Sequence, residues 1–143
     1  MTTSEAGLRI IRTFEGCRLQ AYRCPAGVWT IGYGHTQGVS QGDVISKADA
    51  EHLLRTDLEP VEAEIHALRL NLRQNQFDAL ASFIFNIGTA AFRNKSSVRR
   101  YIIEGRTDAE IAEKFLLWNK ANGVALQGLT NRRKMEADLF KKP

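Results

Sequence analysis

Proline and glycine are scarce, 3 and 11 of 143 residues. That excludes a collagen-like chain or a low-complexity disordered one. No apolar run approaches the ~20 residues a membrane-spanning helix needs. One of the longest, Ala79-Leu80-Ala81-Ser82-Phe83-Ile84-Phe85, is broken by a serine. The only cysteines are Cys17 and Cys24, with no repeated Cys-x-x-Cys and no histidine at ligand spacing. A zinc site is therefore not expected, and in a cytosolic chain the two read as free thiols. The first residues, Met1-Thr2-Thr3-Ser4-Glu5, lack a basic segment followed by an apolar core, so no cleavable signal peptide is expected. Internal repeats are absent.

What is present is the composition of an ordinary folded domain. Hydrophobic residues make up 43% and charged residues 25%. A chain of this length buries roughly 70% of the surface its unfolded form exposes, so it folds without a metal or disulfide staple. Net charge is +4, unevenly spread. Residues 1–90 carry 8 Lys/Arg against 10 Asp/Glu, and residues 91–143 carry 12 against 6. A basic half implies an anionic partner: nucleic acid, anionic lipid or an acidic polymer such as a bacterial wall. No helix interleaves arginines with aromatics and no nucleic-acid recognition motif occurs, which sets nucleic acid aside.

The pattern predicts a mainly helical α+β chain. A first helix over about residues 4–14 starts at Ser4 as N-cap and carries the stripe Leu8, Ile11, Phe14. Strand-like residues 17–23, the turn Pro25-Ala26-Gly27 and the run Val28–Tyr33 read as a hairpin, with a third short strand near Asp43-Val44-Ile45. From Ser46 the pattern is helical. A long helix carries Ala50, Leu53, Leu54, Leu58, Val61, Ile65 and Leu68, with a kink or break expected at Pro60. Its acidic residues Asp49, Glu51, Asp57, Glu59, Glu62 and Glu64 read as a solvated face. Further helices are expected over 74–87, 97–104, from the capping box at Thr107 to about Trp118, and from Thr130 or Asn131 to Phe140.

Chemistry-bearing residues cluster in 15–36: Glu15, Cys24, Thr30, then Gly32-Tyr33-Gly34-His35-Thr36. Singly each is weak. Glycines two apart mark a bend or a close approach to the backbone, and His35 reads most simply as a structural hydrogen-bonder. Together, Glu15-Gly16-Cys17-Arg18-Leu19-Gln20-Ala21-Tyr22, Gly27 and Thr30 to Thr36 closely resemble the phage-type, T4-lysozyme-like endolysins. Gln76 to Leu80, Phe83, Phe85 to Gly88 and Ala91-Phe92 are similar to that family's central buried helix. Trp118, Gly123, Leu126, Gly128-Leu129, Arg132-Arg133 and Glu136 are similar to its C-terminal signature.

The resemblance covers nearly the whole chain. It implies a single lysozyme-like domain over 1–143: one lobe of about 15–60, and a helical lobe of about 70–143 plus the N-terminal helix, joined by the long helix. It implies hydrolysis of the β-1,4 bond between N-acetylmuramic acid and N-acetylglucosamine. Such a reaction needs a proton donor to the leaving oxygen and an opposing group that activates water or attacks the sugar. By resemblance the donor is Glu15, with Arg132 its basic partner; Thr30 holds the attacking water, Gly34 and Thr36 touch sugar, and His35 is structural. The departure is Cys24, where many members have Asp and some Cys. It leaves inverting water attack and a covalent sulfur adduct both open.

The alternative function is a wall-binding module of the same fold without activity. The implied partner is peptidoglycan, with no cofactor, metal or stable membrane insertion. A monomer is expected, held in the bacterial cytoplasm until a holin opens the membrane, unless a longer chain supplies a signal-anchor. Some secreted relatives cage the cysteine in a disulfide at the Cys17–Cys24 spacing. Here such a bond would deform the hairpin, so the ordered sheet is expected with free thiols.

Overall fold

The computed structural model describes residues 1–143. The chain divides into two compact units, Arg12–Glu59 and Met1–Ile11 with Pro60–Pro143. Helices α1 (Glu5–Glu15) and α2 (Lys47–His66) each run across the division in sequence.

The smaller unit holds strands β1 (Arg18–Arg23) and β2 (Trp29–Gly32), paired antiparallel with Tyr22 opposite Thr30 and Arg23 opposite Trp29. The third strand expected at 43–45 is only a bridge of Val44 to Gln20, held by Ala21 N–H to Asp43 O and Ile45 N–H to Leu19 O at 2.9 Å each. With no side chain, Gly32 lets Ala50 and Ile45 close in, each with an atom 3.5 Å from where its Cβ would stand. Ile31, Tyr33, Ala50, Leu54 and Leu58 are buried here. The capping pair foreseen at Ser46 and Asp49 starts α2, with reciprocal bonds of 3.0 and 3.1 Å.

The break expected at Pro60 does not occur. Pro60 lies inside α2, which continues to His66. Nor is the acidic face simply solvated. Glu62 accepts Thr3 N–H and Oγ1–H at 2.7 Å each, and Glu64 forms a two-bond fork with Arg93 at 3.0 and 2.7 Å. Glu51 and Asp57 are also engaged, within the smaller unit.

The larger unit is built on α3 (Gln74–Ile87), whose residues Gln76 to Ile84 are all buried. It packs chiefly against α7 (Gln127–Lys141), which also packs on α6 (Asp108–Phe115). Phe83 is the hub: its ring lies 4.8 Å from Phe115, 6.5 Å from Phe92 and 6.2 Å from Trp118, all edge-on. The Thr107–Glu110 capping box opens α6 as the sequence implied. Ser4 stands at the start of α1, but its hydroxyl and amide both go to Asp78.

Three features escaped the pattern. Helix α4 (Thr89–Lys95) precedes α5 (Ser97–Ile103), β3 (Lys120–Ala121) pairs with β4 (Val124–Ala125), and α7 begins at Gln127, ahead of Thr130.

Polar groups also lie inside this core. Glu136 is wholly buried, accepts the Ser82 hydroxyl at 2.5 Å, and stands 3.3 Å from Arg132 Nε and 3.1 Å from Arg133 Nε. Burial pushes its carboxyl above the ordinary value, against the pull of the two guanidiniums. Arg133 also lies 4.9 Å over the Phe83 ring and donates to Asn86. Removing one partner of a buried ionic set leaves charge without compensation. Glu136→Ala is expected to cost about 3–5 kcal/mol, read as a loss of thermal stability.

A second test concerns acid. The Arg12 guanidinium, bonded at 2.8 and 2.9 Å, holds the Glu51 carboxyl below its ordinary value, and Arg93 does the same for Glu64. Their stabilisation is complete above the unfolded value of about 4.3 and is lost as pH falls through the lower folded value. Denaturant midpoints between pH 7 and 3 should fall less steeply for a Glu51→Gln, Glu64→Gln double variant than for wild type. An unchanged slope would remove both pairs from acid stability.

Candidate active site

The hairpin turn is fixed by two hydrogen bonds. Gly27 N–H donates to Cys24 O at 2.8 Å, and Cys24 N–H to Val28 O at 3.0 Å. Pro25 presets the turn's second position, and Gly27 takes the left-handed backbone (φ 80°) that closes it. Side chains directly opposite on an antiparallel pair share a face, as do residues two apart on a strand. Thr30, opposite Tyr22, therefore lies on the same face as Cys24, two residues beyond Tyr22.

The Thr30 side chain is among the groups that act on the Cys24 thiol. Backbone hydrogen bonding from Val28, then from Ala26, and the Thr30 hydroxyl draw the half-buried Cys24 thiol below its ordinary value, against the opposing pull of burial. Thr30 is 4% exposed, and its hydroxyl lies 3.0 Å from Val28 O. That hydroxyl has one proton, which serves the carbonyl or the sulfur but not both.

A second reversal follows at once. Ile31 and His35 exchange two backbone bonds of 2.9 Å, closing a loop in which Gly32 and Gly34 are both left-handed, φ 64° and 78°. The paired glycines mark a bend and also a close approach. A Cβ on Gly34 would stand 3.3 Å from Glu15 Oε1. The Glu15 carboxyl therefore lies against the backbone of this loop. His35 is fixed at both ring nitrogens: Nδ1 meets the Asp57 carboxylate at 2.8 and 3.0 Å, and Nε2 meets Gln37 O at 2.8 Å.

Glu15, Cys24, Thr30 and Gly34 thus fall in one unit, and Thr36 lies there too, exposed. Arg132 belongs to the other unit, 2% exposed, donating to Ser82 O at 3.0 Å and to Glu136.

A support network was not visible in the sequence. Arg12, in the last turn of α1, binds Glu51 on α2, and the Tyr33 hydroxyl donates to Glu51 at 3.2 Å. Burial, then Glu51 and Cys17, push Tyr33 up to about 12, so it stays a neutral donor. These residues are too far apart in sequence to betray the contact. Cys17 and Cys24 are both free, with β1 ordered between them.

The Phage lysozyme family profile matches residues 12–136. The chain is 42% identical to an endolysin of Acyrthosiphon pisum secondary endosymbiont phage 1, covering 98% of each. It is 46% identical to an endolysin of Bacillus phage PZA over 98% of this chain, but spans only 55% of that longer protein. Among solved structures it superposes on the muramidase domain of SpmX from Asticaccaulis excentricus with a TM-score of 0.91, at 44% identity and covering 99% of each chain. With a family profile over most of its length and full-length relatives, the chain belongs to the phage lysozyme family.

Proposed function

We propose that the protein is a peptidoglycan hydrolase that cleaves the β-1,4 bond between N-acetylmuramic acid and N-acetylglucosamine during host-cell lysis. The observation that carries this reading is the pairing of Cys24 and Thr30 on one hairpin face, under backbone hydrogen bonds that favour a thiolate, in the unit where the Glu15 carboxyl meets Gly34.

Glu15 gives its proton to the glycosidic oxygen as the bond to the sugar C1 breaks. The Cys24 thiolate takes a proton from a water whose oxygen bonds to C1. Thr30 Oγ1 accepts that water's second hydrogen, which turns the water's lone pair toward the sugar. The balance is one water consumed and one reducing end formed. Gly34 and Thr36 receive sugar, and Arg132 supports the acid. The two units act as lobes of one domain. The protein works as a monomer and waits in the cytoplasm for a holin to open the membrane.

Mass spectrometry of digested sacculi tests the reaction: reducing-end muramic acid is expected, whereas 1,6-anhydro ends would mean a lytic transglycosylase. Glu15→Gln should fold normally and lose about 10²–10⁴-fold in rate. A variant that retains a tenth of wild-type activity would remove Glu15 from the mechanism, and full wall binding with no lysis in wild type would mean a binding module.

Cys24 has its own signature. The rate should rise with pH as the thiol loses its proton, along a limb below the ordinary thiol value of 9.0. Cys24→Asp should stay active with that limb moved to about pH 4. Cys24→Ala and Cys24→Ser should both lose about 10²-fold or more, since neither can accept a proton near neutrality. Equal rates in all three variants would make the position structural.

A further inference from the structure

Both halves of the contact between Glu15 and Gly34 lie on soft pieces of chain. Helix α1 ends at Glu15 itself, and Gly16 follows in the left-handed conformation, φ 69°. The last turn of a helix lacks the full set of backbone bonds that holds its interior, so its end frays. Gly34 lies in the loop closed by Ile31 and His35, where a glycine stands on each side of Tyr33. Glycine restricts the backbone least. The bonds between Ile31 and His35 fix the ends of this loop, and of the three residues between them only Tyr33 has a side chain to fix its middle.

That side chain is buried, and its hydroxyl donates to Glu51 Oε1 at 3.2 Å. The same oxygen accepts Arg12 Nε–H at 2.8 Å, and Oε2 accepts a terminal N–H of Arg12 at 2.9 Å. Arg12 lies in the last turn of α1, three residues before Glu15. One carboxylate on α2 therefore ties the turn that carries the acid to the loop the acid meets. A two-bond fork fixes the guanidinium plane as well as its distance, so the tie also resists rotation. Arg12, with a further pull from the charge of Arg55, holds Glu51 below its ordinary value against burial, and Tyr33 is pushed up to about 12. Acceptor and donor thus keep their roles through the neutral range.

We infer that Glu51 is a positioning residue for the reaction: through Arg12 and Tyr33 it sets the Glu15 carboxyl against the Gly34 backbone. The inference rests on Glu15 being the proton donor. Glu51 transfers no proton and acts only through the two residues it holds. A general acid must stand within hydrogen-bond reach of the leaving oxygen, and a misplacement of about 1 Å can cost about a hundredfold in rate. The loss falls on the chemical step, after sugar is bound, and so on kcat rather than KM.

Kinetics on purified sacculi, at a temperature where every variant is folded, test the role. Glu51→Ala should lower kcat by about tenfold to a hundredfold, with KM within about twofold of wild type. Glu51→Gln keeps an oxygen for Arg12 Nε–H and the Tyr33 hydroxyl and should recover part of that loss. Tyr33→Phe cuts the tie at the loop, and Arg12→Gln cuts it at the helix. Each should lower kcat severalfold, and the double variant should be no worse than the poorer single, because a tie breaks only once. Glu64→Gln is the control. It breaks the two-bond fork to Arg93 on the same helix α2, and should lower thermal stability with kcat unchanged. Wild-type kcat in Glu51→Ala, losses that add in the double variant, or an equal loss in Glu64→Gln overturns the role. Should Glu51→Ala fail to fold, Tyr33→Phe, which removes a single oxygen, and its double variant decide the matter.

Nuclear magnetic resonance separates this role from the hydrolase reading. The nuclear Overhauser contact between the Glu15 side chain and the Gly34 α-protons should weaken in Glu51→Ala and Tyr33→Phe and persist in Glu64→Gln. An unchanged contact overturns the tie whatever the rates. A weakened contact in a protein whose wild type hydrolyses nothing supports the tie and removes only the hydrolase reading.

Discussion

Two reversals of the backbone in quick succession decide where the site's side chains point. The first closes through Gly27 and sets Cys24 and Thr30 on one face of the hairpin. The second closes through Gly32 and Gly34 and brings bare backbone against the Glu15 carboxyl. Both need left-handed residues, which glycine adopts without steric cost. A side chain at Gly34 would be strained twice, by its φ of 78° and by the oxygen 3.3 Å away. The Gly-Tyr-Gly sequence is thus a geometric requirement of the carboxyl's position, and no phosphate loop is needed to explain it.

The acidic residues of α2 serve that geometry. Read from the sequence, they form a polar face whose natural surroundings are water. In the fold, Glu51 joins the last turn of α1 to the Tyr33 hydroxyl, and Asp57 fixes His35. Arg12 and Glu51 are about a quarter and a third exposed, so their pairing contributes on the order of 1 kcal/mol. Its greater consequence is positional, since Arg12 lies three residues before Glu15 on the same helix.

What could be read from the sequence was whatever local chemistry decides. The capping boxes at Ser46 and Thr107, the hairpin turn and the apolar α3 all follow from neighbours within a few residues. The misses share a different cause. Pro60 should kink or break α2; the break does not occur, because burial of Leu58, Val61 and Ile65 outweighs one lost backbone bond. Ser4 gives its hydroxyl to Asp78, and Glu62 leaves the solvated face to bind Thr3, both across long sequence separations. Helix α4 is one short segment after a glycine, too brief for periodicity to declare. For the site, Glu15, Cys24 and Thr30 were legible as a spaced set, whereas Tyr33, Glu51 and Arg12 became a network only through tertiary contact.

The cysteine is the chemical question the site poses. A carboxylate is ionised near neutrality without help, whereas a thiol is not. The turn supplies that help: backbone hydrogen bonds from Val28 and Ala26 and the Thr30 hydroxyl all favour negative charge at position 24. None of these donors is specific to sulfur. They would hold an aspartate oxygen as readily, so the turn is an anion-stabilising frame indifferent to which atom carries the charge. Exchange of Cys for Asp then changes the intrinsic basicity of the group and the reach of its side chain, and leaves the frame untouched. Sulfur is larger and more polarisable than oxygen, with weaker hydrogen bonds to water, so its thiolate loses less on being half-buried beside the Thr30 hydroxyl. An active cysteine here needs no rearrangement of the hairpin, only that the proton has left before the water arrives.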